Sequence, residues 1–364
     1  MSFSYSWSDS YPGLTQPTRA TQFSNSLALE LLLLSAISSI RHIEGPGIHP
    51  PTSPRSFRLG QGAVSSVHLQ QFRGRLIAVE HPREILKSLK TPNVTFEQYL
   101  RQVIAEVRVL ANDRLRSHPN ILTLYGYSLG TGQHCRAMMI YEYSKWGPLD
   151  SFLASTSPVP PIVKTSLCLE VAKGLGALYA SNVCHGDVKA ANVLVFANQG
   201  PYGWTAKLSD LGQAIIGDHT NPDAPVECSP GTPLFSAPEI RRRQNFKNES
   251  FTISAALKAD VYSFGLLSWQ VLVEGQHYLR VYLGSEMAAT NDTLDSVHSH
   301  LPLSSVLAPY KGCLPNNSPA CLSSVRRHSG LLRRPRYKTT PTIERACSRY
   351  WTWSNIKCLL PLLH

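Results

Sequence analysis

Three side chains with complementary chemistry lie within six residues of one another near the middle of this 364-residue chain. Asp187 is a carboxylate that can accept a hydroxyl proton, Lys189 is a cation for a phosphate, and Asn192 is an amide for a divalent cation. Transfer of a phosphoryl group depends mainly on positioning and charge neutralisation, so a short rigid loop with these groups suits that reaction. The spacing therefore indicates a phosphoryl-transfer loop within residues 183–195.

Three further motifs follow this loop in order. Residues 209–212 read Ser-Asp-Leu-Gly, residues 231–239 end in Ala-Pro-Glu, and residues 260–265 read Asp-Val-Tyr-Ser-Phe-Gly. They resemble the metal-binding DFG turn, the end of the activation segment and the start of the long buried helix of protein kinases. Because four motifs occur at workable spacing, the chain is identified as a member of the protein-kinase superfamily, and the resemblance covers residues 57–274.

The resemblance implies an α+β, bilobal protein-kinase-like fold over residues 55–280. We expect a small antiparallel β-sheet with the C-helix in an N-lobe over about residues 55–140, and a mainly helical C-lobe over about residues 145–280. Residues 1–54 are predicted to be an N-terminal extension that is partly disordered. Residues 281–364 are predicted to be an atypical basic tail.

The net charge of +11 is distributed unevenly along the chain. Residues 301–364 carry ten Lys or Arg against the single acid Glu344, whereas the first 300 residues carry 25 bases against 23 acids. The basic character therefore belongs to the tail and does not indicate a nucleic-acid-binding domain, so we expect no specific nucleic-acid partner. With 43% hydrophobic residues, the chain can bury a core, which excludes global disorder.

Cysteine usage and hydropathy bear on the compartment. The eight Cys residues include no C-x-x-C pair, so with the kinase motifs they indicate reduced thiols and an intracellular protein, cytoplasmic or nuclear. The most apolar run, residues 26–40, contains Glu30 and is shorter than the roughly 20 residues that span a bilayer. We therefore expect a packing helix there and no membrane partner.

Residues 58–67 resemble the glycine-rich loop that covers ATP in kinases. Gly60 and Gly62 would let backbone N–H groups approach the phosphates, while Ser65 replaces the third glycine of the pattern. The other ATP contacts that the resemblance implies are Leu59, Val67 and Ala78 in the N-lobe, the backbone of Glu142 and Ser144 in the hinge, and Leu194 below the adenine. Tyr141 would close the pocket behind the adenine.

The resemblance also assigns roles in the C-lobe. Asp187 would orient the substrate hydroxyl as base, Lys189 would neutralise the γ-phosphate of ATP, and Asn192 and Asp210 would hold Mg²⁺. A Lys two residues after the catalytic Asp resembles the Ser/Thr-specific kinases. Supporting roles are implied for a packed His185, for Thr232 as a hydrogen-bond partner near Asp187 and Lys189, and for Asp260 as an acceptor of backbone N–H groups.

One position departs from the family pattern. Where kinases have the strand Lys that joins the ATP phosphates to a Glu of the C-helix, this chain has Glu80, and Glu106 best matches the helix Glu. Two like charges about 4 Å apart cost about 4 kcal/mol at an effective dielectric of about 20. Losing one preorganised donor lowers turnover by about 10²–10³. We therefore expect weak catalysis.

Three functions follow from these observations. The first is an ATP-dependent kinase acting on Ser or Thr of a protein substrate, and the second is a pseudokinase that binds nucleotide or partners without catalysis. The third is a small-molecule phosphotransferase, which Gly186 favours and the platform at residues 237–239 disfavours. Because Gly186 replaces the Arg that pairs with activation-loop phosphate in many kinases, we also hypothesise that phosphorylation of Ser229 is not the switch.

Overall fold

A computed structural model describes the central part of the chain in eleven stretches. They are residues 40–42, 48–49, 53–62, 64–82, 94–129, 137–200, 202–221, 223–228, 231–243, 251–272 and 274–275. The chain divides into two compact units, the first formed by Met1–Ala111 with Leu124–Tyr143 and the second by Asn112–Thr123 with Ser144–His364.

The first unit contains a six-stranded sheet. Its strands are β1 (Arg41–His42), β2 (Phe57–Gln61), β3 (Ser65–Phe72), β4 (Arg75–Pro82), β5 (Leu124–Leu129) and β6 (Ala137–Glu142). Their order is β1-β5-β6-β4-β3-β2, and only the pairing of β1 with β5 is parallel. The predicted antiparallel N-lobe sheet is confirmed, and β1 adds a strand that the sequence did not predict.

Side-chain alternation along β3 and β4 separates two faces of this sheet. Ile77 and Val79 of β4 form a buried cluster with Ile140 of β6 on one face. Ala78 and Glu80 alternate with them, and so belong to the opposite face. The register of β3 against β4 opposes Val67 to Glu80, which places the candidate nucleotide-contacting residues on one face of the hairpin.

A polar cluster is buried on the apolar face of the same sheet. The Gln70 side chain exchanges two hydrogen bonds of 2.8 Å with the backbone of His49, and its Nε2 lies 3.2 Å from Nε2 of His81. The rings of His68 and His81 meet edge to face at 5.3 Å. Burial, assisted by the charge of His68, lowers the pKa of His81 to about 4.

Helix α1 (Val94–Leu110) is the predicted C-helix. Its buried side chains recur every three or four residues and so form an apolar stripe, consisting of Tyr99, Leu100, Val103, Ile104, Val107 and Leu110. The hydroxyl of Tyr99 donates to the backbone oxygen of Ala137 at 2.9 Å. The helix is thereby fixed to β6 by a polar contact as well as by apolar packing.

The second unit is mainly helical, as predicted. Its helices are α2 (Asp113–Arg116), α3 (Leu149–Thr156), α4 (Pro161–Ala180), α5 (Pro238–Arg243) and α6 (Ile253–Leu272), and its strands are β7 (Val183–Cys184), β8 (Val193–Ala197), β9 (Trp204–Leu208) and β10 (Ile215–Ile216). Strand β8 pairs with β9, and β7 pairs with β10, both antiparallel. The helical spacing of apolar residues at 161–181 predicts a helix and residues 205–208 resemble a strand, and α4 and β9 confirm both within a residue.

Close packing of α4 holds β9 in place. Gly174 lies where an added Cβ would be 2.7 Å from the backbone oxygen of Asn120 and 2.8 Å from Cδ1 of Leu208. Asn120 in turn donates to the backbone oxygen of Ala206 at 3.0 Å, and the N–H of Ala206 donates to Glu170 at 2.6 Å. These contacts fix the strand that leads directly into Ser209 and Asp210.

Several predictions concern residues outside the described stretches. They are the apolar helix expected at residues 26–40 apart from its last residue, the basic tail at 281–364, and Ser229. Among the helices that the structure describes, none combines the length and hydrophobicity that crossing a bilayer requires.

Candidate active site

The catalytic loop follows β7 and brings Asp187 and Lys189 together. The Lys189 Nζ lies 2.6 Å from Oδ2 of Asp187 and 2.7 Å from Oγ1 of Thr232, to both of which it donates. The backbone N–H of Thr232 donates to the other carboxylate oxygen of Asp187 at 2.8 Å. The predicted position of Thr232 is therefore confirmed, and both oxygens of Asp187 are fixed by partners.

Asn192 closes the loop from its other end, in a short 3₁₀ turn (Ala190–Asn192). Its Nδ2 donates to the backbone oxygen of Asp187 at 2.9 Å and to Oδ2 of Asp187 at 3.1 Å. Because the amide nitrogen is committed to Asp187, the amide oxygen is the atom of Asn192 left for a cation. An oxygen ligand of this kind suits Mg²⁺.

Asp210 is tied to Asn192 through its neighbour Ser209. The N–H and the hydroxyl of Ser209 both donate to the backbone oxygen of Asn192, at 2.9 and 3.0 Å. Asp210 itself is exposed and has left-handed backbone angles, φ 61° and ψ 67°. An exposed carboxylate and an amide oxygen on adjoining segments fit an oxygen-ligated divalent cation.

Ser209 was missed by the sequence reasoning. Its position directly before Asp210 is the only sequence signal that could have indicated its role. A hydroxyl at that position can fix the neighbouring carboxylate without carrying charge into the site.

Buried polar residues below the loop determine its backbone path. Both carboxylate oxygens of Asp260, on α6, accept backbone N–H groups, from His185 at 2.6 Å and from Gly186 at 3.0 Å. His185 is fully buried, and its Nε2 lies 3.1 Å from the backbone oxygen of Ser209. The structural roles predicted for Asp260 and His185 are thus confirmed by contacts.

The electrostatics of the carboxylates differ. Burial alone would raise the pKa of Asp187, but the charge of Lys189 and hydrogen bonds from Lys189 and Thr232 outweigh it and hold that pKa below its usual range. Desolvation by the surrounding protein raises the pKa of Asp210 although its surface is accessible, and the Asp187 charge raises it further against the opposing charges of His185 and Lys189. A bound cation would favour the ionised form of Asp210.

The predicted ATP-binding residues of the N-lobe lie on three neighbouring strands. Leu59 and Gly60 are on β2, Val67 is on β3 opposite Gly60, and Ala78 is on β4 opposite Leu69. Gly62 follows β2, and its N–H donates to the backbone oxygen of Ser65 at 2.9 Å, which closes the turn. An added Cβ at Gly60 would meet no atom within 4 Å, so the space beside it is open.

The hinge residues and the predicted floor are also placed by the sheet and by β8. Glu142 ends β6 opposite Ile77. The Ser144 hydroxyl donates to the backbone oxygen of Val195 and accepts the N–H of Gly147 at 3.0 Å. Leu194 bridges to Pro148. Glu142 belongs to the first unit and Ser144 and Leu194 to the second, so the unit boundary follows Tyr143.

Glu80 and Glu106 share an environment with two buried tyrosines. Desolvation is the largest cause that raises the pKa of Tyr99 and of Tyr141 well above 10.0, and the charges of both carboxylates add to it. The hydroxyl of Tyr141 also hydrogen-bonds the side chain of Glu106, which is 6% exposed. The sequence reasoning identified Tyr141 as a bulky residue and missed this polar contact with the C-helix.

The sequence of this chain matches a known protein family and several known proteins. A family model described as "Protein tyrosine and serine/threonine kinase" matches residues 55–299. The chain is 28% identical over 227 residues to the probable serine/threonine-protein kinase drkB of Dictyostelium discoideum, covering 62% of this chain and 28% of that protein. It is 30% identical over 231 residues to the serine/threonine-protein kinase pelle of Drosophila melanogaster, covering 60% of this chain and 41% of that protein.

A human protein is similar to this chain over a comparable length. The chain is 30% identical over 220 residues to mitogen-activated protein kinase kinase kinase 10 of Homo sapiens, covering 59% of this chain and 20% of that protein. In each case the chain spans less than half the length of the relative. The family match itself covers more than half of this chain. The chain therefore belongs to the protein tyrosine and serine/threonine kinase family.

Proposed function

We propose that this chain is an ATP- and Mg²⁺-dependent kinase that transfers the γ-phosphate to Ser or Thr of a protein substrate, with slow turnover. The observation that carries the proposal is the ordered set of contacts around Asp187. Both of its oxygens are fixed, and its pKa is held below the usual range, so it is ionised and able to accept a proton at neutral pH. Ser/Thr kinases among the relatives support the substrate class.

In this proposal each group of the loop has one task. Asp187 accepts the proton of the substrate hydroxyl as that oxygen attacks the γ-phosphorus, and the bond from this phosphorus to the oxygen shared with the β-phosphate breaks, so that ADP leaves. Lys189, already bonded to Asp187 and Thr232, neutralises the transferring phosphoryl group. Asn192 and Asp210 would hold Mg²⁺, which would offset the negative charge of the phosphates. No further covalent step on the protein is needed for this transfer.

The slow turnover follows from position 80. Kinases of this family use a strand Lys to orient the α- and β-phosphates of ATP, and Glu80 supplies the opposite charge. Loss of one preorganised donor costs about 10²–10³ in turnover. The rest of the C-lobe constellation is intact, which favours a weak enzyme over a chain without chemistry.

The second candidate is a pseudokinase that signals through binding. Glu80 specifically favours a pseudokinase, because a carboxylate at this position would repel the phosphates of ATP, whereas a Lys would attract them. A small-molecule phosphotransferase is not supported further, since the family match runs through residues 231–239, the segment that builds the peptide platform in protein kinases.

The experiment that tests the proposal combines binding and transfer on the full chain. ATP is expected to raise the melting temperature more with Mg²⁺ than without it, and labelled γ-phosphate is expected to reach a generic Ser/Thr protein acceptor. The isosteric Asp187→Asn variant should keep the Mg²⁺-dependent shift and lose transfer. Binding without transfer, in wild type and in Glu80→Lys alike, would identify a pseudokinase and overturn the enzyme proposal.

A further inference from the structure

In many kinases a phosphate orders the activation segment, here residues 210–239, by pairing with an Arg of the catalytic loop, and this chain has Gly186 at that position. Position 186 is glycine with φ +80°, where side chains are strained. An added Cβ there would meet the backbone oxygen of Gln213 well inside contact distance. This backbone therefore excludes an Arg at position 186, and the segment needs other means of becoming ordered.

The beginning of the segment forms backbone hydrogen bonds with the strand that precedes the catalytic loop. Ile215 and Ile216 pair with Cys184 and Val183 as β10 and β7. Directly after them, the N–H of Gly217 donates to the backbone oxygen of Asn182 at 2.9 Å. The segment therefore leaves the metal-binding turn along a path fixed by backbone hydrogen bonds.

The middle of the segment is hydrogen-bonded to the two residues that directly precede α6. The N–H of Val226 donates to the backbone oxygen of Phe251 at 2.6 Å, and Pro225 forms an antiparallel bridge with Thr252. We call these four residues the clasp. Its side chains extend an apolar cluster, since Val226 packs against a buried group formed by Cys184, Ala237, Ile240, Phe251, Ile253, Ala256 and Ala259.

The end of the segment forms hydrogen bonds with the catalytic loop and with α6. Thr232 donates its N–H to Asp187, and the hydroxyl of Ser263, on α6, donates to the backbone oxygen of Phe235 at 2.8 Å. Gly231, with φ +58°, lies where an added Cβ would be 2.7 Å from the backbone oxygen of Gly186. Gly231 therefore allows a close approach to the catalytic loop that a side chain at this position would prevent.

We propose that the clasp, together with the hydrogen bonds at both ends of the activation segment, orders this segment without a phosphate. Phe251 and Thr252 of the clasp directly precede α6, and Asp260 of that helix accepts the N–H groups of His185 and Gly186, so α6 connects the clasp to the catalytic loop. Opening the clasp therefore frees the segment that positions Thr232 against Asp187. As a statement about regulation of catalysis, this inference rests on the proposed kinase function; as a statement about order, it does not.

The test is hydrogen exchange of the phosphatase-treated full chain, followed by mass spectrometry. Peptides covering residues 223–228 and 231–237 are expected to exchange at least roughly tenfold more slowly than an unstructured peptide. Phe251→Ala, which removes the packing, and Val226→Pro, which removes the N–H donor, should each bring these peptides close to the unstructured rate. Val261→Ala, a truncation at an exposed position of α6, is the matched control and should change nothing.

Two outcomes would overturn the inference. One is rapid exchange of both peptides in the phosphatase-treated wild type, with protection only after phosphorylation. The other is unchanged protection in both clasp variants, each shown to be folded by exchange of the β8–β9 peptide at the wild-type rate. Since exchange does not depend on turnover, slow exchange without phosphate transfer supports the clasp and rejects the proposed function alone.

An activity arm addresses regulation. Phosphatase treatment and Ser229→Ala are each expected to leave the basal transfer rate within about twofold of the untreated wild type. The reason is that position 186 has no Arg with which a phosphate could form an ion pair. A larger gain in activity when Ser229 is phosphorylated would contradict the proposal.

Discussion

The amide nitrogen of Asn192 lies 2.9 Å from the backbone oxygen and 3.1 Å from Oδ2 of Asp187, so one side chain fixes both the backbone and the carboxylate of the proposed base. This contact orients the Asn192 oxygen at the same time, because the oxygen and the nitrogen of a planar amide are fixed relative to each other. Orientation of the base and supply of a cation ligand are therefore coupled in a single residue.

Replacing Asn192 should separate metal-dependent from metal-independent binding. In Asn192→Ala the Mg²⁺-dependent part of the ATP-induced thermal shift should be lost and transfer should fall about 10²–10³-fold. The part of the shift that ATP gives without Mg²⁺ should remain. Asn198→Ala, in the β8–β9 turn where Asn198 bonds the backbone of Trp204, is the control and should retain the Mg²⁺ effect.

Lys189→Met should move the acid limb of the pH–rate profile upward. The folded pKa of Asp187 is depressed, so its ionised form contributes stability above the unfolded pKa of about 3.9 that is lost as pH falls through the folded value. Without Lys189, the largest influences that oppose burial are lost, so that pKa rises. ¹³C NMR of the Asp187 carboxyl measures the change independently of turnover; an unshifted carboxyl titration would contradict it.

Glu80→Lys should increase phosphate transfer. The new ammonium would restore the missing donor, for an expected gain of roughly 10²–10³ in turnover. Glu80→Gln removes the negative charge without adding a cation, so its gain should be much smaller. Measuring both rates at saturating MgATP separates removal of the negative charge from addition of a cation. Equal rates for the two variants would show that the missing cation at position 80 does not limit turnover.

Two helix glycines should respond in opposite directions to alanine. At Gly174 the new Cβ would meet the Asn120 backbone oxygen at 2.7 Å and Leu208 at 2.8 Å, so a steric cost of about 1–3 kcal/mol should outweigh the gain of about 1 kcal/mol in helix propensity. A Cβ added at Gly265 would have no neighbouring atom within 4 Å, so only the gain in helix propensity remains. Chemical denaturation should therefore show Gly174→Ala destabilised and Gly265→Ala stabilised.

Acid should destabilise the N-lobe through His81. Its folded pKa of about 4 lies below the unfolded value near 6.5, so between these pH values the unfolded chain binds the proton that the folded chain excludes. Stability is then lost as pH falls from about 6.5 to 4, by about 3 kcal/mol in total. Denaturation measured across this range in wild type and in His81→Gln tests it, because the variant should lack this component of the slope.

The proximity of the candidate catalytic residues was predictable because their spacing is local. Asp187, Lys189 and Asn192 lie within six residues, so the loop conformation alone brings them together. Asp210 was also predictable, since it follows a recognisable strand. By contrast, β1 is two residues long and has no periodicity to read, and Ser209 carries no signal beyond its position.

The amino-acid sequence by itself determined the types and the order of the groups that we propose handle phosphate, and it also placed Glu at position 80, where the family resemblance implies Lys. Only the tertiary structure decided which distant segments meet them: Thr232 on Asp187, 45 residues away, and Val226 on Phe251. The physical reason is that local spacing fixes neighbours within a turn, whereas contacts across tens of residues depend on how the apolar faces of α4 and α6 pack.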